Sequence, residues 1–232
     1  LNNYWGATYT TPQTTSNRVG YLNLTAKADA TPTWTLEGTA HVRRYEQKIV
    51  DGNPTNVGAC TADATLLCFR DGATPANGTD GTQLGNPFAP GTILGEIDRN
   101  RVDTKSFGGT AQFTNTDQLF GHDNHLVMGV SVDHGYTKFN ASSELGTVDQ
   151  NLFVTGTGIF INQPDAGLSP VDLHATNTYT GLYLTNTFDV TSRFSVTAGG
   201  RFNFAQIELR DQTGTNDLLN SNNRFQRLNP VI

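Results

Sequence analysis

Along much of this chain apolar residues occupy every second position, with polar residues between them. Within residues 179–202, Leu182, Leu184 and Phe188 recur at even spacing. Beyond a polar turn at 189–193, Phe194, Val196, Ala198, Gly200 and Phe202 do the same. A period of two is the period of a β-strand with one apolar face. The same alternation predicts strands at 18–28 (Gly20, Leu22, Leu24 and Ala26 on one face) and at 33–47 (Trp34, Leu36, Gly38, Ala40 and Val42). It returns at 103–116 (Phe107, Ala111, Phe113) and at 124–139 (Leu126, Met128, Val130, Val132), and a partial strand opens at the end of the sequence. About six strands and one partial strand are expected, each sustaining alternation for around ten residues.

The connections alternate in length as regularly as the strands alternate in polarity. Short turns at 29–32, 117–124 and 189–193 are interleaved with long Gly-, Asn-, Asp- and Thr-rich segments near 48–102, 138–175 and 207–223. In an antiparallel meander alternate connections fall at opposite ends, so every long loop lies at one end of the sheet. Compact soluble domains rarely carry structureless loops beyond about 12–15 residues. Long strands with tight turns at one end and long loops at the other are the pattern of a bacterial outer-membrane barrel. The expected fold is therefore all-β, an antiparallel meander forming part of a larger transmembrane β-barrel, with residues 1–232 inside that one domain. Tyr21, Trp34, Tyr136 and Tyr179 lie toward strand ends, where a headgroup girdle would hold them. An extended soluble β-sandwich is the competing architecture; it alternates too, but calls for neither the strand length nor the loop asymmetry.

Composition narrows the field further. Hydrophobic residues make up 36% and charged residues 16%, with 24 glycines and one methionine. That leaves much of the chain uncharged and polar, unlike a typical soluble enzyme. A net charge of −6 without a basic cluster argues against nucleic acid as a partner. No run of 18 apolar residues exists to form a transmembrane helix. The sequence opens on Leu and stops within strand-like residues, so it reads as an internal segment of a longer chain.

Tyr179-x-Gly181-x-Tyr183, Thr187-Phe188, Val190-Thr191 and Thr197-x-Gly199-Gly200-Arg201-Phe202, followed by Phe225 and Leu228-Asn229-Pro230, resemble a barrel hairpin of TonB-dependent outer-membrane receptors. The likeness is one of motif over the last quarter of the chain and of architecture over the rest. It implies a 22-stranded barrel plugged by an N-terminal globular domain, which lies outside this sequence. It further implies energy-dependent import of a scarce solute such as a ferric siderophore, with the TonB complex and outer-membrane lipid as partners. A passive outer-membrane pore and an adhesive or structural β protein are the alternatives.

Candidate site residues fall into three groups. Cys60 and Cys68, in CTADATLLC within the first long loop, are expected to form a disulfide, since an outer loop lies in an oxidising compartment. Glu37, His41, Arg43, Asp133 and Arg201 fall on polar strand faces, where they would line a lumen and meet a plug, tune a pore, or merely solvate the wall. Phe69, Phe88, Phe153 and Phe160 in the long loops would either contact a ligand or anchor the loops. Other fragments read more simply: GHDNH (His122, Asp123, His125) as a turn rather than a metal site, and DGATPANGTDG as turn-rich loop without a calcium-ligand pattern. Gly156-Thr157-Gly158 is too short for a dinucleotide fingerprint. No cofactor motif and no nucleophile–base set stands out, so no enzymatic activity is expected.

Overall fold

The computed structural model describes residues 10–162, 170–214 and 217–231. In chain order the strands are β1 (Gln13–Asp29), β2 (Trp34–Pro54), the short β3 (Val57–Ala59), β4 (Leu67–Phe69) and β5 (Asn77–Gly78), then β6 (Leu94–Asn115) and β7 (Asn124–Val148). They continue with β8 (Val154–Asn162), β9 (Val171–Thr191), β10 (Phe194–Asp211) and β11 (Ser221–Val231). The chain is all-β and antiparallel, with one 3-10 turn among the described residues, at Asp217–Leu219. The long strands pair in the order β1-β2-β6-β7-β9-β10-β11. Among the described residues β1 pairs only with β2 and β11 only with β10, so the sheet is open at both edges.

The strands run further than their alternation predicts. Residues 48–54, 94–102, 138–148, 171–175 and 207–211, read from the sequence as loop, extend the ladders of β2, β6, β7, β9 and β10. Segments such as KIVDGNP and EIDRNRV mix charged and apolar residues without a period of two, so only pairing with a neighbouring strand identifies them. The long connections shrink accordingly to 55–93, 149–170 and 212–220. At the opposite end the turns are tight. Leu119 and His122 exchange backbone hydrogen bonds of 3.0 Å around Phe120 and Gly121, both at positive φ, which is the two-residue turn whose twist suits a hairpin.

Paired residues in an antiparallel ladder share a face, so the register sorts every side chain. One row reads Ala26, Gly38, Ala111, Val130, Leu182, Phe202, Leu228 from β1 to β11. The rows on either side are nearly as apolar, and together they form a continuous band across all seven strands. Among the described residues nothing packs on this band, where Leu24 and Leu228 are 64% and 65% exposed, and the sheet is a single layer.

The band runs obliquely to the strands. On β1 its apolar residues extend from Leu22 to Ala28, and on β9 from Leu182 to Phe188. Followed through the pairing, Leu22 is level with Thr178 and Ala28 with Leu184. Both limits thus slide four residues toward the short turns over four strand steps. At about 3.3 Å per residue and about 4.8 Å between strands, this is a tilt of roughly 35° between the strands and the normal to the band. Along β2 the apolar face from Trp34 to Val42 measures about 27 Å, or about 22 Å along that normal.

The buried core lies at the long-loop end. Val57, Leu67, Ala76, Leu145 and Ile161 form it, with Phe69, Leu84, Phe88, Leu94 and Ile159 packed around them. Leu145 and Ile161 belong to the β7–β8 hairpin, and β5 pairs with β8, so the first two long connections fold onto one another as a lobe. The Cys60–Cys68 disulfide staples the β3–β4 hairpin within it, with a Cα–Cα distance of 4.8 Å. Closing so short a loop restricts the unfolded chain by up to about 2–3 kcal/mol in the entropic description. The double variant Cys60→Ser/Cys68→Ser is expected to raise proteolytic cleavage between residues 55 and 93 while leaving the long strands protected. Loss of protection in β1, β9 and β10 would instead tie the lobe to the folding of the whole sheet.

Candidate functional site

The face opposite the apolar band carries a transverse chain of polar contacts. Lys27 Nζ on β1 lies 3.0 Å from Glu37 Oε1 on β2, and Gln112 Nε2 on β6 donates to Glu37 Oε2 at 3.4 Å. The Tyr183 hydroxyl on β9 donates to Gln112 Oε1 at 3.0 Å. Arg201 on β10 sits 5.7 Å from the Tyr183 ring centroid and donates to Ser131 Oγ on β7 at 2.9 Å and to Asn203 Oδ1 at 2.7 Å. Further along the same face, His41 Nε2 on β2 lies 3.5 Å from Asp133 Oδ1 on β7.

Three of these contacts jump over an intervening strand, and a glycine sits under each. Gly129 on β7 lies beneath the Tyr183–Gln112 contact; a Cβ there would come within 2.5 Å of Tyr183 Cζ. Gly181 on β9 lies beneath Arg201 and Ser131, where a Cβ would approach Arg201 Nη2 to 2.5 Å and Ser131 Oγ to 2.8 Å. Gly108 on β6 opens the path from His41 to Asp133, with His41 Cε1 2.7 Å from the position of a Cβ. Side chains two strands apart are about 10 Å apart at the backbone. Only a long side chain crossing a position without a Cβ closes that gap.

Of the polar residues singled out from the sequence, Glu37 and Arg201 join the transverse chain, and His41 and Asp133 meet each other. Arg43 stands beside them, lining a shallow groove of about 880 Å³ with Tyr21, His41, Asp133, Thr137 and Tyr179. Tyr21 and Tyr179 therefore lie on the polar face rather than in an aromatic girdle, because their register partners are Arg43 and Asp133. Trp34 and Tyr136 do lie on the apolar side, at opposite margins of the band. Trp34 donates Nε1–H to Asp117 Oδ2 at 3.0 Å, and the Tyr136 hydroxyl bonds His174 Nδ1 at 2.9 Å. Sequence reasoning did not single out Gln112, Ser131, Gly108 or Gly129, and took Gly181 and Tyr183 only as part of a hairpin motif. The one sequence mark of the reach-over contacts is glycine on the polar phase of a strand.

The loop aromatics divide. Phe69 and Phe88 pack against the buried core of the lobe, whereas Phe153 and Phe160 present exposed rings. In GHDNH, the His122 ring lies 5.5 Å from that of Phe188 in a tilted contact and Asp123 Oδ1 accepts from Gln118 Nε2 at 3.0 Å, so both groups serve the turn. Gly156 and Gly158 both serve Glu144, which is buried and ion-paired to Arg99. A Cβ at 156 would overlap the Glu144 carboxylate, and Gly158 donates its N–H to Glu144 Oε1 at 2.7 Å. Comparison with protein-family models finds no match to this chain, and comparison with curated proteins finds no sequence relative.

Acidic residues fix the backbone of the lobe. Asp63, Asp71 and Asp80 accept hydrogen bonds from Thr65, Thr74 and Thr82. For Asp63 and Asp71 the threonine hydroxyl is the main cause, and for Asp80 the Thr82 N–H; each carboxyl is held below its ordinary value. These bonds engage the acidic residues of DGATPANGTDG in turn formation.

Two expectations follow from this geometry. Gly129→Val should cost about 1–3 kcal/mol in urea unfolding, by overpacking against Tyr183. Gly20→Val, where a Cβ meets nothing within 4 Å, should change stability little. Equal effects at the two positions would remove the reach-over account. Because Asp63, Asp71 and Asp80 have depressed folded values, their contribution is complete above the unfolded carboxylate range and is lost as pH falls through the folded values. Amide exchange at Thr65, Thr74 and Thr82, corrected for intrinsic rate, should therefore accelerate from about pH 4 downward. Acceleration already near neutrality would contradict that assignment.

Proposed function

We propose that this sheet is an arc of a transmembrane barrel wall in a bacterial outer membrane, belonging to a receptor that imports a scarce solute. The observation that carries the reading is the oblique, uncovered apolar band. Its height of about 22 Å and strand tilt of roughly 35° lie near the dimensions of outer-membrane barrels, which have bands of about 25 Å and tilts of about 35–45°. A soluble sheet would need a second layer on so much exposed apolar surface. In this reading further strands pair onto the free edges of β1 and β11, the polar face looks into the lumen, and the lobe stands outside the membrane.

The receptor assignment, with its plug and coupling to TonB, rests on the likeness of residues 179–202 and 225–230 to that family. The polar face supports it in kind: His41, Arg43, Asp133 and Arg201 present hydrogen-bonding groups of both signs, which suits an interior docked against a globular plug. Solute capture falls to the lobe, with Phe153 and Phe160 as exposed contacts for a ferric chelate. The role is binding and transport rather than catalysis. A passive pore is the second reading, favoured by the same lumen-facing charges if no plug fills the interior.

Single cysteines along β7 of the full-length protein test the wall. Substitutions at Met128, Val130 and Val132 should resist a membrane-impermeant thiol reagent, and those at Asp133, Gly135 and Thr137, on the polar face, should react. Reaction on both faces alike would end the membrane reading. Deleting residues 56–92 should then abolish energy-dependent uptake of the solute while the barrel still assembles. Uptake that persists without a proton-motive force would replace the receptor with the pore.

A further inference from the structure

Directly above the apolar band, on its own face, the sheet turns abruptly basic. Lys105 precedes Phe107 by two positions on β6, about 7 Å further from the short turns. In the three rows beginning there, β1, β2, β6 and β7 place Arg18, Arg44, Lys48, Arg101, Lys105 and Lys138 on this face. The same rows continue onto β9 and β10 with Asp172, Glu208 and Arg210. On β1, β2, β6 and β7 themselves only Glu46 and Asp103 oppose the six cations, a local surplus of four positive charges on a chain whose net charge is −6.

The two carboxylates are already engaged. Glu46 lies 3.1 Å from Lys48 and 3.2 Å from Arg101, and Asp103 lies 3.4 Å from Arg44. Lys105 has no carboxylate within ion-pair distance among the described residues. Lys138 Nζ lies 5.9 Å from the centroid of the Tyr136 ring, an aromatic face and not an anion. Lys105, Lys138 and Arg101 surround a hollow of about 310 Å³, completed by Tyr136, Asn140 and Asp103.

We infer that this hollow binds the phosphorylated headgroup of a membrane amphiphile, whose acyl chains lie on the apolar band below it. The inference rests on the membrane-wall reading. Lys105 and Lys138 would neutralise the phosphate, Arg101 and Asn140 would donate hydrogen bonds to its oxygens, and Tyr136 marks the level of the interface. Continuity with the band favours a lipid over a free anion. A soluble phosphate gains only the cations, while a lipid also covers the apolar surface beneath Phe107. The same basic rows on the lumen face would have no such occupant; on this face they stand where headgroups lie.

The test uses full-length protein purified in an uncharged detergent. It is titrated with a bis-phosphorylated glucosamine lipid, with the same lipid after dephosphorylation, and with inorganic phosphate, and bound species are read by native mass spectrometry. The phosphorylated lipid should be retained about tenfold or more over its dephosphorylated form, with the preference falling as salt rises. Lys105→Gln/Lys138→Gln should erase the preference. Arg193→Gln, which removes a charge at the short-turn end, should keep it. Equal retention of the two lipids, or a preference that survives the double substitution, overturns the site. Capture of inorganic phosphate without a lipid preference overturns the lipid as its occupant. Co-flotation with phosphatidylcholine vesicles separates the two levels of failure: protein that floats without the preference loses only this site, and protein that does not float loses the membrane reading with it.

Discussion

The register of the β1–β11 ladder is the constraint on which the rest depends. A shift of one residue in any strand would move its apolar set to the opposite face and interrupt the band. Because the sheet is a single layer, no packed core corrects such a slip across most of its height. The alternation itself enforces the register, since a slipped strand would place Arg43 or Glu37 among leucines and valines. The tight turns help, as the reciprocal bonds of Leu119 and His122 leave β6 and β7 little freedom to slide.

Stability is distributed unevenly along the strands. At the long-loop end Leu67, Leu145 and Ile161 are fully buried, and Asp98 and Glu144 are buried with partners: Asp98 accepts from Ser143 at 2.5 Å and from Asn53 at 3.0 Å. Lower down, the ladders are held mainly by backbone hydrogen bonds, with side chains that are half-buried or exposed on both faces. The bare apolar face would be costly in water, and in a bilayer it becomes the favourable surface. The lobe, by contrast, is built as a soluble protein is built, with a disulfide and an aliphatic core.

The polar face solves a different problem. A one-layer wall has no facing sheet to cross-brace it, and neighbouring strands are joined only edge to edge. Tyr183, Arg201 and His41 brace it by reaching over a strand, and Gly129, Gly181 and Gly108 supply the clearance. Each glycine weakens its own strand slightly. The gain is a set of side-chain contacts linking β1 through β10 with no second layer.

The sequence by itself determined the strand faces, the alternation of short and long connections and the Cys60–Cys68 pairing. Each depends on local pattern or on the compartment the pattern implies. It also indicated which residues share the polar face, because a period of two needs no knowledge of the neighbouring strand. It did not reveal how far the strands extend, since 48–54 and 94–102 lack alternation and are strand only because each pairs with the other. Nor did it distinguish the strand-end aromatics: Tyr21 and Trp34 look alike in the sequence, and register puts them on opposite faces. The reach-over contacts, the oblique band and the basic hollow around Lys105 were decided by the tertiary structure alone. Each joins residues on strands that are distant in sequence, and only the lateral pairing of those strands sets which side chains stand level.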